Sequence, residues 1–174
     1  ISTGYQFFEN GISNLEDINN PTFRRLIKKV LRTHAAFAEG HYRNALDNTA
    51  LRAGVRLSYI EKLNKWLPEP RLSFTQRFEE HFTFEVLGEF KHQTASQVID
   101  LQNDFLGVEK RRWVLANDTD IPVTQSKQAS AGLTYDKNGL LASVEGYYKQ
   151  VTGITSSSQG FQNQYQFVRS AGAY

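Results

Sequence analysis

The chain has 174 residues, 40% of them hydrophobic and 22% charged, with a formal net charge of +2. That is enough for one domain with a sizeable core, and the near-balanced charge gives no electrostatic case for nucleic acid. Cysteine is absent, which excludes disulfides, thiolate metal clusters and thiol nucleophiles, and no apolar run nears the roughly 20 residues of a membrane helix. Methionine is absent even at position 1, so the chain reads as a processed form, an excised domain or a fragment; no signal peptide is visible.

Twelve phenylalanines, eight tyrosines and only four prolines lean toward β structure. Taken in chain order, Tyr5 and Phe7 alternate with Gly4 and Gln6. Thr22 to Lys29 carries Phe23, Leu26 and Ile27 at helical spacing and is a candidate short helix. Leu31 to Arg43 reads as a strand of ambiguous parity, because Ala35-Ala36-Phe37-Ala38 fits either register. Leu51, Ala53, Val55, Leu57 and Tyr59 alternate with Arg52, Gly54, Arg56 and Ser58. In Pro70 to Phe78 the even positions are mostly apolar and Arg71, Ser73, Thr75 and Arg77 are polar. Phe82, Phe84, Val86, Gly88 and Phe90 alternate with Thr83, Glu85, Leu87, Glu89 and Lys91. Ser96 to Leu106 is a second helix candidate. Gln128 to Tyr135 and Ala142 to Lys149 alternate again, and an eighth strand begins near Phe167. A period of two over such lengths is a strand with two different faces.

The connections are lopsided. Asn44 to Asn48, Glu79 to His81 and Asp136 to Gly139 are short, the last with an Asn-Gly turn signal. Leu15 to Val30, Thr94 to Val123 and Thr155 to Gln166 are long, with Lys62 to Trp66 the exception.

Alternation by itself fits two architectures. One is a soluble antiparallel sandwich or barrel, apolar inside, serving as a binding module, for example for carbohydrate. The other is a transmembrane β-barrel, apolar against lipid and polar toward a wet lumen. Three features favour the second. The apolar faces of Leu51 to Tyr59, Phe82 to Phe90 and Ala129 to Tyr135 carry no charge. The strands run about nine to eleven residues, the length of a tilted membrane strand. Aromatics sit at strand ends: Phe78, Phe82 and Tyr135 by the tight turns, Tyr59, Trp66 and Phe90 toward the long loops.

The run Leu67-Pro68-Glu69-Pro70-Arg71-Leu72-Ser73-Phe74 resembles the "EPRLS" strand of TonB-dependent receptors of Bacteroidetes-type bacteria. Arg112 to Ala116, Ile121-Pro122-Val123 and Ser126-Lys127-Gln128 resemble their passage from a long loop into a strand. Gly132 to Tyr135 and Val144 to Lys149 resemble the hairpin that follows, and Gly54-Val55-Arg56 the strand before. The resemblance covers most of the chain. It implies an outer-membrane active transporter in the bacterial cell outer membrane, in which a barrel of roughly 22 strands surrounds a plug. The inner-membrane TonB complex drives uptake of a nutrient such as an iron chelate, vitamin or glycan. Nothing here resembles the plug or the N-terminal segment that the TonB complex grips. The expectation is therefore an internal slice of wall: residues 1–174 as about eight antiparallel up-and-down strands of a larger transmembrane barrel, with the plug domain absent.

The charges expected to face the lumen are Arg52, Arg56, Arg71, Arg77, Glu85, Glu89, Lys91, Glu145 and Lys149. They either touch plug and ligand or pair across strands. Arg111, Arg112 and Trp113, in the longest loop, are candidates for holding an anionic ligand, since arginine suits carboxylates and phosphates and tryptophan offers a stacking face. His34, His41, His81 and His92 have no metal-ligand spacing. Asn117, Asp118 and Asp120 lack the EF-hand pattern. No phosphate-binding glycine loop or nucleophile elbow is present, and Arg24-Arg25 with Lys28-Lys29 reads as a solvated basic run. No cofactor, no metal, no catalytic residue and no nucleic-acid partner is expected; the expected partners are outer-membrane lipid, the TonB complex and the nutrient.

Overall fold

The structure, a computed structural model, describes residues 1–19, 22–100, 110–117, 119–159 and 165–173, without the side chains of 16–19, 23, 99–100, 110–111, 156–159 and 165–173. Ten strands carry nearly all of it: β1 Ser2–Asn19, β2 Thr22–Arg43, β3 Thr49–Ile60, β4 Lys65–Phe78, β5 Phe82–Gln93, β6 Ala95–Asp100, β7 Lys110–Leu115, β8 Thr124–Lys137, β9 Leu140–Gln159 and β10 Tyr165–Ala173. Eight form one antiparallel sheet in the order β1-β2-β3-β4-β5-β8-β9-β10, and β6 with β7 forms a separate hairpin inserted between β5 and β8. The up-and-down order is as expected; the sheet is not closed into a barrel.

The tight turns are where the sequence puts them. Asn138 and Gly139 both take positive φ, 52° and 80°, which suits the two-residue hairpin turn that twists with its strands. Two expected long connections differ. Leu15 to Val30 is not a loop but the upper part of the β1–β2 hairpin, in register from Asn19 opposite Thr22 to Ser2 opposite Glu39. The helix expected at Thr22 to Lys29 is strand, because every one of these residues has a ladder partner on β1. Intrinsic helix preference is a weak prior that a full ladder overrides. The helix expected from Ser96 is strand through Asp100; Leu101 to Leu106 lie outside the described residues. Thr155 to Gln159 belong to β9.

The register settles the parity of Leu31 to Arg43. Tyr42, Ala38, Ala36 and His34 stand opposite Leu51, Val55, Leu57 and Tyr59, so the even positions of β2 share the apolar face and Glu39 and His41 share the charged one. Paired residues lie on one face, so the apolar row continues through Trp66, Leu72, Phe74, Val86, Phe84, Ala131, Leu133 and Val144. Charges join this face at its ends, as Arg24, Lys28 and the Arg32–Glu9 pair toward the long loops and Lys137 at the Asn138-Gly139 turn, and once near Phe90: β8 begins earlier than expected, and Lys127 stands opposite that ring with its ammonium 5.3 Å from the centroid.

Strand β4 contains Pro68 and Pro70 within a central position, where proline normally breaks a ladder. The Arg77 N–H donates to Asn48 O on the β3 side, so the odd residues of β4 face β3 and the even ones face β5. Both prolines therefore present their missing N–H to β5. The β3–β4 ladder runs on to Lys65, whereas the β4–β5 ladder stops at Arg71 opposite Glu89.

The main apolar cluster sits on the charged face, at its long-loop end. Leu31, Ile60, Leu63 and Leu67 from the wall bury against Leu115, Ala116 and Val123 of the inserted excursion, with Ile12 and Ala95 at its border. The β6–β7 hairpin also touches β1 and β9. In a flat sheet these strands, six steps apart, would be about 29 Å from each other at about 4.8 Å per step. A hairpin two strands wide reaches both because the sheet curls toward its charged face. The charged face is thus concave, and the excursion lies across its mouth.

Candidate functional site: the charged concave face

All nine charges expected on one face stand there together. The register aligns Glu39, Gly54, Arg71, Glu89, Gln128 and Lys149 in one row across six strands, with Arg56 and Glu69 in the next row up. Arg52 is nearer the tight turns, and Glu85 and Glu145 flank Gly132 lower still.

Many of these charges are mutually satisfied. Arg52 Nη2 donates to Glu39 Oε1 at 2.8 Å, and His41 Nε2 lies 2.7 Å from the same oxygen. The space for this comes from Gly54, where a Cβ would stand 3.1 Å from Glu39 Cγ and from Ala38 O. Lys91 Nζ reaches Glu89 Oε1 at 2.8 Å. Arg56 is the most connected residue. Its Nη1 donates to Gln6 Oε1 at 2.8 Å, two strands away, its guanidinium lies 5.1 Å over Phe8, and its Nε is 3.6 Å from Glu69 Oε2. Concave curvature lets the long side chain span β2. Arg71, Arg77, Glu85, Glu145 and Lys149 make no ion pair among the described residues.

Three pockets open on this face. Two, of about 280 and 340 Å³, share Glu39, Arg52 and Arg71. The third, of about 250 Å³, lies toward the mouth, beside the apolar cluster: Phe8, Ile60 and Leu67 line its apolar side, Arg56, Ser58, Glu69 and His92 its polar side. Glu69 is buried, 8% exposed, and its carboxylate accepts the His92 backbone N–H at 2.9 Å. A face of this kind, alternating in sign and only partly neutralised, offers both donors and acceptors to a polar surface or solute.

The three loop candidates are not in a loop. Arg111, Arg112 and Trp113 lie on β7. Successive residues of a strand leave opposite faces, so Arg112 and Trp113 point apart and do not converge on one ligand. Trp113 is half exposed, and its carbonyl accepts from Asn14 Nδ2 at 3.0 Å. The side chain of Arg111 lies outside the described residues. Asn117 Oδ1 accepts the backbone N–H groups of Thr119, Asp120 and Ile121, which makes it a turn-forming residue; Asp118 is outside the described residues. No group of three or more candidate metal ligands occurs among the described residues.

Two site residues escape sequence reasoning. Glu39 was hidden by the ambiguous parity of β2. Glu69 was legible: it sits two residues before Arg71 and so on the same face, but the flanking prolines masked the alternation.

The apolar face has no protein layer over it among the described residues. Tyr5, Phe7, Tyr42, Val55, Trp66, Leu72, Phe78, Val144 and Tyr148 are each more than a third exposed. Its aromatics fall in two bands. Toward the tight turns, Phe78 stacks on Phe82 at 5.4 Å and Phe82 meets Tyr135 at 5.0 Å. Toward the long loops, Tyr59 packs on Trp66 at 4.8 Å and Phe7 on His34 at 5.1 Å. His34 bridges Tyr5 OH and Glu61 Oε1, each at 2.6 Å.

No protein-family model, no curated protein and no solved structure matches the chain.

Proposed function

We propose that the chain forms wall of an outer-membrane transport receptor of the TonB-dependent kind, its apolar face against lipid and its charged concave face toward the plug and the passing nutrient. One observation carries the reading. The excursion that this chain does fold back, β6–β7 and the passage to Val123, covers the charged face and leaves the apolar one bare. Apolar area on this scale marks a surface meant for something other than water.

The spacing of the bands supports the same reading. Trp66 and Phe78 are 12 residues apart on β4, roughly 40 Å along a strand at about 3.3 Å per residue. At a tilt of about 45° that is about 28 Å of height, close to the roughly 25 Å apolar belt of a membrane barrel. Both bands also step toward the tight turns between β2 and β9. The lower moves from Tyr42, opposite Leu51 and Phe74, to the Phe78–Phe82–Tyr135 row; the upper moves from Trp66 to Phe90 and Tyr148. Tilted strands in a staggered barrel require that drift. TonB-energised uptake and the nutrient follow from the resemblance of the Leu67 to Phe74 strand and its neighbours.

The test uses the two tryptophans. In a Trp113→Phe chain, Trp66 is the single reporter. In detergent micelles or vesicles, headgroup-proximal brominated lipid is expected to quench Trp66 strongly, and the chain is expected to lose its folded spectrum when detergent is withdrawn. A monomer that stays soluble without detergent and melts cooperatively overturns the lipid-facing assignment and leaves the soluble binding module.

A further inference from the structure

We propose that the upper seam between β4 and β5 is a built-in point of local opening in the wall, held shut chiefly by the Glu69 carboxylate on the His92 amide. The inference is independent of what covers the apolar face. In the β4–β5 pairing, Phe78, Gln76, Phe74 and Leu72 stand opposite Phe82, Phe84, Val86 and Gly88, all on the facing parity. The next two pairs in sequence would be Pro70 with Phe90 and Pro68 with His92. Neither proline has an N–H to donate: Phe90 N–H still has Pro70 O as acceptor, as the Arg71–Glu89 pair requires, but Phe90 receives no bond in return, and the ladder ends there. Above that point the His92 N–H goes to a side chain instead, Glu69 at 2.9 Å.

The break lies between two cavities. On the apolar side a groove of about 760 Å³ is lined by Val55, Pro70, Leu72, Gly88 and Phe90. On the concave side the pocket of about 250 Å³ is lined by Leu67, Glu69, His92 and Thr94. The groove thus borders the lower end of the break, at Pro70 and Phe90, and the pocket its upper end, at Glu69 and His92. The other flank of β5 is intact: the β5–β8 pairing continues without interruption from Phe82 to Gln93. Separation of the seam therefore leaves β5 anchored to β8.

Amide hydrogen exchange on the folded 174-residue chain reads this residue by residue, with its control in the same strand. Amides of Phe90 and His92 face the seam, while those of Glu89 and Lys91 face β8, the side on which Asp136 N–H donates to His81 O. Phe90 and His92 are expected to exchange at least about tenfold faster than Val86 and Gly88, with Glu89 and Lys91 slow. Glu69→Ala is expected to speed His92 by about a further tenfold, the effect of losing one hydrogen bond to a charged acceptor, and to leave Val86 unchanged. Because Glu69→Ala also removes one of the partners of Arg56, a second variant works in the opposite direction. Pro68→Val with Pro70→Val restores both N–H donors toward the carbonyls of Phe90 and His92, which closes the ladder, and is expected to slow exchange of the Phe90 and His92 amides by about tenfold. Equal protection of Phe90, His92, Val86 and Gly88 in the unsubstituted chain overturns the proposal, as does a double proline variant with unchanged exchange.

Discussion

A charge moved along one strand tests the two-faced wall most directly. Leu133, Ala131 and Ala129 stand on the apolar face of β8, two, four and six residues above Tyr135. Thr134 stands on the charged face, opposite Thr83 and Ser143. At about 3.3 Å per residue and a tilt of about 45°, Leu133 lies roughly 5 Å above the lower aromatic band and Ala129 roughly 14 Å. A belt of about 25 Å has its midplane at about 12 Å, so Ala129 is at the centre and Leu133 near the edge. Arginine costs roughly 2–4 kcal/mol at the midplane and falls to about 0–1 at the interface. Ala129→Arg is therefore expected to lose about 2–4 kcal/mol, Leu133→Arg about 1 from the charge, and Thr134→Arg close to nothing. Urea unfolding of each variant in lipid vesicles, followed by tryptophan emission, gives the three values. Equal cost for Leu133→Arg and Thr134→Arg would defeat the assignment of faces. A cost that fails to rise from Leu133 to Ala129 would defeat the lipid, since a protein partner has no reason to grade its penalty with depth.

Two further substitutions probe the packing. Ile60 is fully buried in the cluster beneath the excursion, and Ile60→Ala is expected to cost about 2–5 kcal/mol in unfolding free energy; a loss below about 1 kcal/mol means the excursion does not seat there. Gly153 has φ 75° and is the extra residue of a bulge, skipped between Ser170 opposite Ile154 and Ala171 opposite Thr152. A Cβ there would meet Val123 O at 2.7 Å. Gly153→Ala is expected to lower stability by about 2 kcal/mol, from left-handed backbone strain together with that clash; a neutral result in the same urea assay removes the bulge from the account.

Much of this protein is local and therefore legible in the chain. A period of two is a property of neighbouring residues, so Leu51 to Tyr59 and Phe82 to Lys91 declare strand, face and sign of face without any partner. The Asn138-Gly139 turn and the absence of charge from the apolar rows of β3 and β5 are of the same kind. Where the pattern was degenerate, only pairing decided. Ala35-Ala36-Phe37-Ala38 acquires its parity from β3, and with it Glu39 joins Arg52. Thr22 to Lys29 holds a helical spacing of apolar residues, yet the partner strand Ile12 to Asn19 turns it into ladder. The longest connection carried no periodic signal of where it would go. That it folds onto the charged face, placing Leu115 and Val123 against Leu31, Ile60 and Leu67, depends on contacts between residues far apart in the chain. The same holds for the Glu69–His92 contact, since the sequence shows two prolines in a strand but not which neighbour they deprive. Alternation fixes which side of a strand is oily; only the assembled sheet decides which side is left bare.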